Sequence, residues 1–263
     1  MRRKQGAFIR AESGICAPAL ALFVAALNLA LICSAAAETI SVRAGEILDA
    51  ESLTHFSGAL APDSLVEWEV FRPDPERYEA APGLLVFVSP IASGALPGRW
   101  QELIASRNLV WMGANDSGNK IDPERRIAFA LLARVYAGKK LGIDTDRVYV
   151  TGFSGGGRVS SVLAPAYPHI FQGAIYLGGV NYWGSATPAQ IDLVRGNRFV
   201  FVTGTKDFNR RETRQVFKRY RKAGIEQIKL LDIPGMGHVL PSAEHMGDAI
   251  DFLDDKNQES VSK

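Results

Sequence analysis

Hydrophobic and polar positions change rhythm along this chain. Residues 15–37 are apolar apart from Pro18, Asn28 and Ser34, and Arg2, Arg3, Lys4 and Arg10 precede them. After a weakly patterned stretch, Val66, Trp68 and Val70 alternate with Glu67 and Glu69. A period of two gives a strand one apolar and one wet face, so this segment predicts an antiparallel edge strand. Beyond it the apolar runs are short and nearly continuous, at 84–88, 109–113, 148–152, 174–177, 199–203 and 228–233. Runs without alternation suit strands buried on both faces of a parallel sheet.

Helical start signals separate these runs. Asp122 followed by Pro123 reads as an N-cap with proline in the first turn, and Asn209 with Glu212 reads as a capping box. Apolar residues behind them recur at helical spacing: Ile127, Leu131 and Val135 in one case, Val216, Phe217 and Tyr220 in the other. Strand alternating with helix predicts one α/β domain with a mostly parallel, doubly wound sheet flanked by helices.

The first 37 residues belong to a different class. A basic start, an apolar middle and Ala35-Ala36-Ala37 before Glu38 have the form of a secretory signal peptide. An uncleaved anchor is the alternative, because residues 17–33 approach spanning length. Lipid attachment at Cys33 is another. Pro18, Asn28 and the alanine run favour cleavage, and Ala30-Leu31-Ile32 lacks the small residue expected before a lipidated cysteine.

Cleavage after Ala37 would leave residues 38–263 as a single domain in the periplasm or outside the cell, with no stable membrane insertion. Both Cys16 and Cys33 would leave with the signal, so no disulfide is available to the exported chain. The formal charge of +2 would become 26 basic against 27 acidic residues. That balance gives no sign of a nucleic-acid partner. Composition sets no oligomeric state.

Candidate chemistry gathers at strand ends. Val148-Tyr149-Val150-Thr151-Gly152-Phe153-Ser154-Gly155-Gly156-Gly157 contains GxSxG where a strand stops and a helix begins. A serine on such a tight turn needs neighbours without side chains, so that its hydroxyl projects and the backbone approaches the sheet. A glycine-rich phosphate loop is the alternative, but GxGxxG does not fit and no P-loop lysine follows.

A serine hydroxyl is a poor nucleophile and needs a base held by an acid. Of the four histidines, His55 precedes the parallel strands, His169 follows Tyr167-Pro168, and His245 lies in the last helical segment. His238, in Pro234-Gly235-Met236-Gly237-His238, follows the last strand, where open α/β sheets gather ligands. Thr203-Gly204-Thr205-Lys206-Asp207 closes the preceding strand. With Asn209 and Glu212 serving as the helix cap, Asp207 is left without a local structural task and becomes the candidate acid.

Ser154, Asp207 and His238 stand in the order, and on the strand ends, that resemble the α/β-hydrolase superfamily. The resemblance covers residues 40–255. Residues 144–156 and 234–238 are similar to secreted esterases of the polyhydroxybutyrate depolymerase and feruloyl esterase group. The resemblance implies hydrolysis of a small-molecule or polymeric carboxylic ester through an acyl-enzyme on Ser154, with His238 as base and Asp207 as orienting acid. It calls for no metal and no cofactor.

The resemblance also implies an oxyanion hole made by the Gly155 N–H and a donor from the loop after residues 84–88. That loop reads Ser89-Pro90-Ile91 where many relatives resemble His-Gly-x. Pro90 has no N–H, which makes Ile91 the expected second donor, with Ala92 next. The twenty residues from Gly178 to Asn197 are too few for a cap domain. The site is therefore expected to be open, with Tyr182 and Trp183 either contacting substrate or packing the loop onto the body.

Asn115, Asp116, Ser117 and Asn119 fall on the active-site side, where they either line the pocket or form a turn, and the turn is favoured. The basic segment 210–222 reads as a solvated helix face, with contact to an anionic surface as the alternative. A noncatalytic binding protein on a hydrolase scaffold, an acyltransferase and a peptidase stand as alternatives to the esterase.

Overall fold

The computed structural model describes residues 36–56, 58–182 and 187–255. They belong to one compact unit, Cys33–Lys263; the other unit, Met1–Ile32, and with it most of the expected signal segment, lies outside the described residues.

In chain order the strands are β1 (Ala36–Arg43), β2 (Leu65–Arg72), β3 (Gly83–Val88), β4 (Leu109–Ala114), β5 (Val148–Phe153), β6 (Gly173–Leu177), β7 (Arg198–Gly204) and β8 (Ile228–Ile233). The helices are α1 (Ala44–Ile47), α2 (Ala50–Thr54), α3 (Gln101–Ser106), α4 (Pro123–Lys140), α5 (Gly155–Ala166), α6 (Pro188–Val194), α7 (Arg210–Lys222) and α8 (Ala243–Asp254). The eight strands form one sheet in the order β1-β2-β4-β3-β5-β6-β7-β8. β2 is antiparallel to both β1 and β4, and every other neighbouring pair is parallel.

All six apolar runs are strands, and their alternate residues serve two cores. Leu84, Val86 and Val88 of β3, with Phe199 and Phe201 of β7, pack into the layer that holds α4, α5 and α7. Leu85 and Phe87, with Val200 and Val202, pack into the layer that holds α3 and α8. Each large apolar side chain so buried contributes roughly 1.5–3 kcal/mol relative to exposure, which is why a continuous apolar run is stable only with a helix on each side.

β2 is antiparallel as its alternation predicts, but it is not the edge. β1 lies outside it, with Ala36 opposite Arg72 and Ala37 opposite Phe71. The wet face of β2 is used rather than solvated: Ser41 and Thr39 donate to Glu67 and Glu69 at 3.0 and 3.2 Å, and Asn115 Nδ2 donates to both glutamates at 2.8 Å.

Asp122 caps α4 as expected, accepting the Glu124 N–H at 2.8 Å. The capping box at Asn209 does not form. The Asn209 amide donates instead to Gly178 O at 2.8 Å, and Glu212 pairs with Arg158. Between β6 and β7 the described residues contain only α6, so no cap domain covers the sheet. No helix among the described residues is long and apolar enough to cross a membrane.

Because the strands from β3 through β8 are parallel, their C-terminal ends share one edge, the place where open α/β sheets bind ligands.

Candidate active site

β5 ends at Phe153, and the chain turns into α5 through a single residue, Ser154, at φ 54° and ψ −116°. That conformation costs an L-residue on the order of 1–3 kcal/mol and persists only where the surroundings enforce it. Here the Ser154 N–H is tied to Leu177 O of β6 at 2.8 Å, and the first turn of α5 lies directly on β3. A methyl group on Gly156 would be driven into the Val88 carbonyl, and one on Gly152 into the Gly156 backbone. The glycines flanking the serine are thus required by the close approach of helix and sheet.

β7 delivers Asp207 and the loop after β8 delivers His238. The His238 Nε2 lies 2.9 Å from Ser154 Oγ, and its Nδ1 lies 3.0 Å from Asp207 Oδ1. The three residues, separated by 53 and 31 positions in the chain, form one hydrogen-bonded line. The Asp207 side chain is 1% exposed, and besides His238 it accepts the Asn209 N–H at 2.8 Å and the Thr203 hydroxyl at 3.4 Å. Asp207 therefore does have a local task at the start of α7, contrary to the sequence reading.

Two aromatic rings that sequence reasoning did not single out enclose the imidazole. Phe153 lies 4.9 Å from it and Phe208 4.1 Å, centroid to centroid. Both adjoin a triad residue in the chain, which is the only signal that points to them. Phe208 is 77% exposed, so its outer face is open to a bound molecule. Beside it a groove of about 470 Å³ runs along α7 past Arg211, Arg214 and Lys218.

The remaining expected residues are placed as follows. Gly155 is the first residue of α5, where the leading N–H groups of a helix have no partner within it. The Ile91 N–H is donated to Ser89 Oγ at 3.2 Å, and the Ser89 hydroxyl in turn donates to Ser93 O at 2.6 Å. The expected second oxyanion donor is thus turned into its own loop, because a serine hydroxyl readily captures the N–H two residues on.

Tyr182 packs its ring against Tyr220 at 6.5 Å and beneath the Arg219 guanidinium at 5.0 Å, the packing alternative rather than the substrate contact. Trp183 lies outside the described residues. Among the described residues no group of three or more His, Cys, Asp and Glu side chains is placed to hold a metal ion.

No protein-family model and no curated protein sequence matches the chain. Solved structures do. The S-formylglutathione hydrolase of Staphylococcus aureus superposes with a TM-score of 0.61 at 12% identity, over 83% of this chain and 98% of that one. A ferulic acid esterase gives 0.60 at 15% identity, over 82% and 95%. A candidate dipeptidyl aminopeptidase IV of Bacteroides ovatus gives 0.59 at 15% identity over 83% of this chain, which spans only 35% of that longer protein. With its strand order, its serine at the β5–α5 turn and these structural neighbours, the chain has the fold of the α/β hydrolases.

Proposed function

We propose that the protein is an exported serine esterase that hydrolyses carboxylic esters through an acyl-enzyme on Ser154. The observation that carries this reading is the continuous line from Ser154 Oγ through His238 to Asp207, at 2.9 and 3.0 Å. In the first half-reaction Ser154 Oγ attacks the ester carbonyl while its proton passes to His238 Nε2. The carbonyl π pair moves onto oxygen, and Asp207 stabilises the imidazolium and holds its orientation. When the tetrahedral adduct collapses, the ester C–O bond breaks and His238 returns the proton to the departing alcohol. Water then attacks the acyl-enzyme and gives its proton to His238, which returns it to Ser154 Oγ as the acyl C–Oγ bond breaks, releasing the acid and the free enzyme.

The open sheet edge and the exposed Phe208 ring beside His238 favour bulky or polymeric acyl groups over small buried ones. The structural likeness to a ferulic acid esterase supports the same class.

The test is labelling with an alkyl fluorophosphonate together with a panel of ester substrates. Wild-type protein should become labelled at Ser154 and turn over at least one ester, and Ser154→Ala should do neither. Ester turnover near the wild-type rate in folded Ser154→Ala protein would overturn the reading.

A further inference from the structure

The esterase reading, on which this inference rests, requires two hydrogen-bond donors where negative charge develops on the carbonyl oxygen. The Gly155 N–H is one. The loop after β3 does not offer Ile91 as the other, since its N–H goes to Ser89 Oγ. That loop is internally satisfied at Ser89 as well: its carbonyl accepts the buried Arg126 guanidinium at 2.8 Å, and its hydroxyl serves Ser93 O.

A different side chain occupies the position over Gly155. A methyl group on Gly155 would lie 2.7 Å from Asn119 Cγ and 2.9 Å from Asn119 Nδ2, with Asn119 Oδ1 closer still. Residue 119 lies in the loop after β4 and residue 155 opens α5, so the tertiary fold alone sets the carboxamide against the residue that supplies the first oxyanion donor. The backbone that presents it is pinned to the β3 loop. The Asn119 N–H donates to Pro90 O at 3.0 Å, the Asp116 N–H donates to Ala92 O at 2.7 Å, and Gly118 lies so near Ile91 that a methyl there would meet its carbonyl carbon at 2.9 Å. The Asn119 carboxamide itself makes no hydrogen bond among the described residues. It is exposed at the strand-end surface, with two N–H donors uncommitted.

We propose that Asn119 Nδ2 is the second oxyanion donor, acting with the Gly155 N–H. Rotation about the terminal side-chain bond exchanges Oδ1 and Nδ2, so the carboxamide can present its NH₂ to the oxygen as charge develops. A neutral donor gains strength there in the transition state. An isosteric carboxylate at the same place would repel the developing charge.

The experiment compares wild type, Ser154→Ala, Asn119→Ala and Asn119→Asp by p-nitrophenyl acetate hydrolysis and by rate of fluorophosphonate labelling, with thermal melts to verify folding. Both Asn119 variants should lose about 100-fold or more in kcat, the Asp variant at least as much as the Ala variant, while KM changes less than about threefold. Affinity for a trifluoromethyl ketone, whose adduct on Ser154 carries the oxyanion, should fall in parallel with kcat. A residue that merely anchors the turn would lower the melting temperature without moving kcat per folded molecule or ketone affinity. Asn119 variants within about threefold of wild-type kcat overturn the proposal. If Ser154→Ala is then inactive, the esterase reading stands without Asn119; if Ser154→Ala is active, both fall.

Discussion

Ser154 combines two demands that pull apart under mutation: a hydroxyl for chemistry and a backbone conformation at φ 54° that only glycine adopts without strain. Ser154→Gly should therefore abolish activity and yet raise stability by about 1 kcal/mol, a rise in Tm of roughly 2–4 °C for a domain of this size, because the turn is released from strain. A calorimetric or circular-dichroism melt against Ser154→Ala, which keeps the Cβ, checks this. An unchanged or lower Tm in Ser154→Gly would mean that the turn stores no strain. At this scale the site was partly legible in the sequence. Ser154, Asp207 and His238 each stand next to a strand end that hydrophobicity alone marks, so their meeting could be expected from spacing. Asn119 could be placed on the active-site side but not against Gly155, because that approach joins the loop after β4 to the start of α5 with no pattern linking them. The Ile91 expectation failed because the Ser89 hydroxyl competes for the N–H, a local rivalry that spacing does not reveal.

The central parallel strands were readable because burial on both faces leaves little polar interruption, β8 was less so with its Lys229 and Asp232, and β1 was hidden. Its residues alternate only weakly, and its first two, Ala36 and Ala37, merge with an alanine run that reads as a cleavage site. The start of α7 was misread because Asn209 and Glu212 spend their side chains on Gly178 and Arg158. The rest of α7 agrees with a helix face that finds its partners locally. Arg210 and Arg214 both bind Asp232 of β8, and Arg221 lies over the Phe217 ring at 5.0 Å.

The Arg210 hydrogen bonds, then those of Arg214, hold the Asp232 carboxyl below the ordinary carboxylate range against the opposing effect of burial. A depressed folded-state value means that the stabilisation is complete above the unfolded value of about 3.9 and is lost as pH falls through the folded one. The Tm advantage of wild type over Asp232→Asn should thus be constant above about pH 5 and shrink as pH falls below about 4. An advantage that stays level down to pH 2 would show that the pair does not couple β8 to α7 through charge.

At the scale of the whole molecule, the proposed export leads to a definite processed end. Removal of residues 1–37 takes only the first two rungs of β1. It keeps Glu38, which pairs with Arg72 across β1 and β2 at 3.0 Å, and leaves Ile40 and Val42 packed on the core. N-terminal sequencing of protein recovered from the periplasm or medium should begin at Glu38. A start at Met1 in membrane-bound material would favour the anchor instead.

β5 lies between β3 and β6, with further strands beyond each, so its C-terminal end is the last place in the sheet that partial fraying can reach. The β1 edge can open and close while Ser154 stays in register with Leu177, whereas the β8 edge carries the loop that delivers His238. Local breathing at β8 would therefore withdraw the base while leaving the nucleophile in place, so heat or denaturant should end activity before the sheet as a whole gives way.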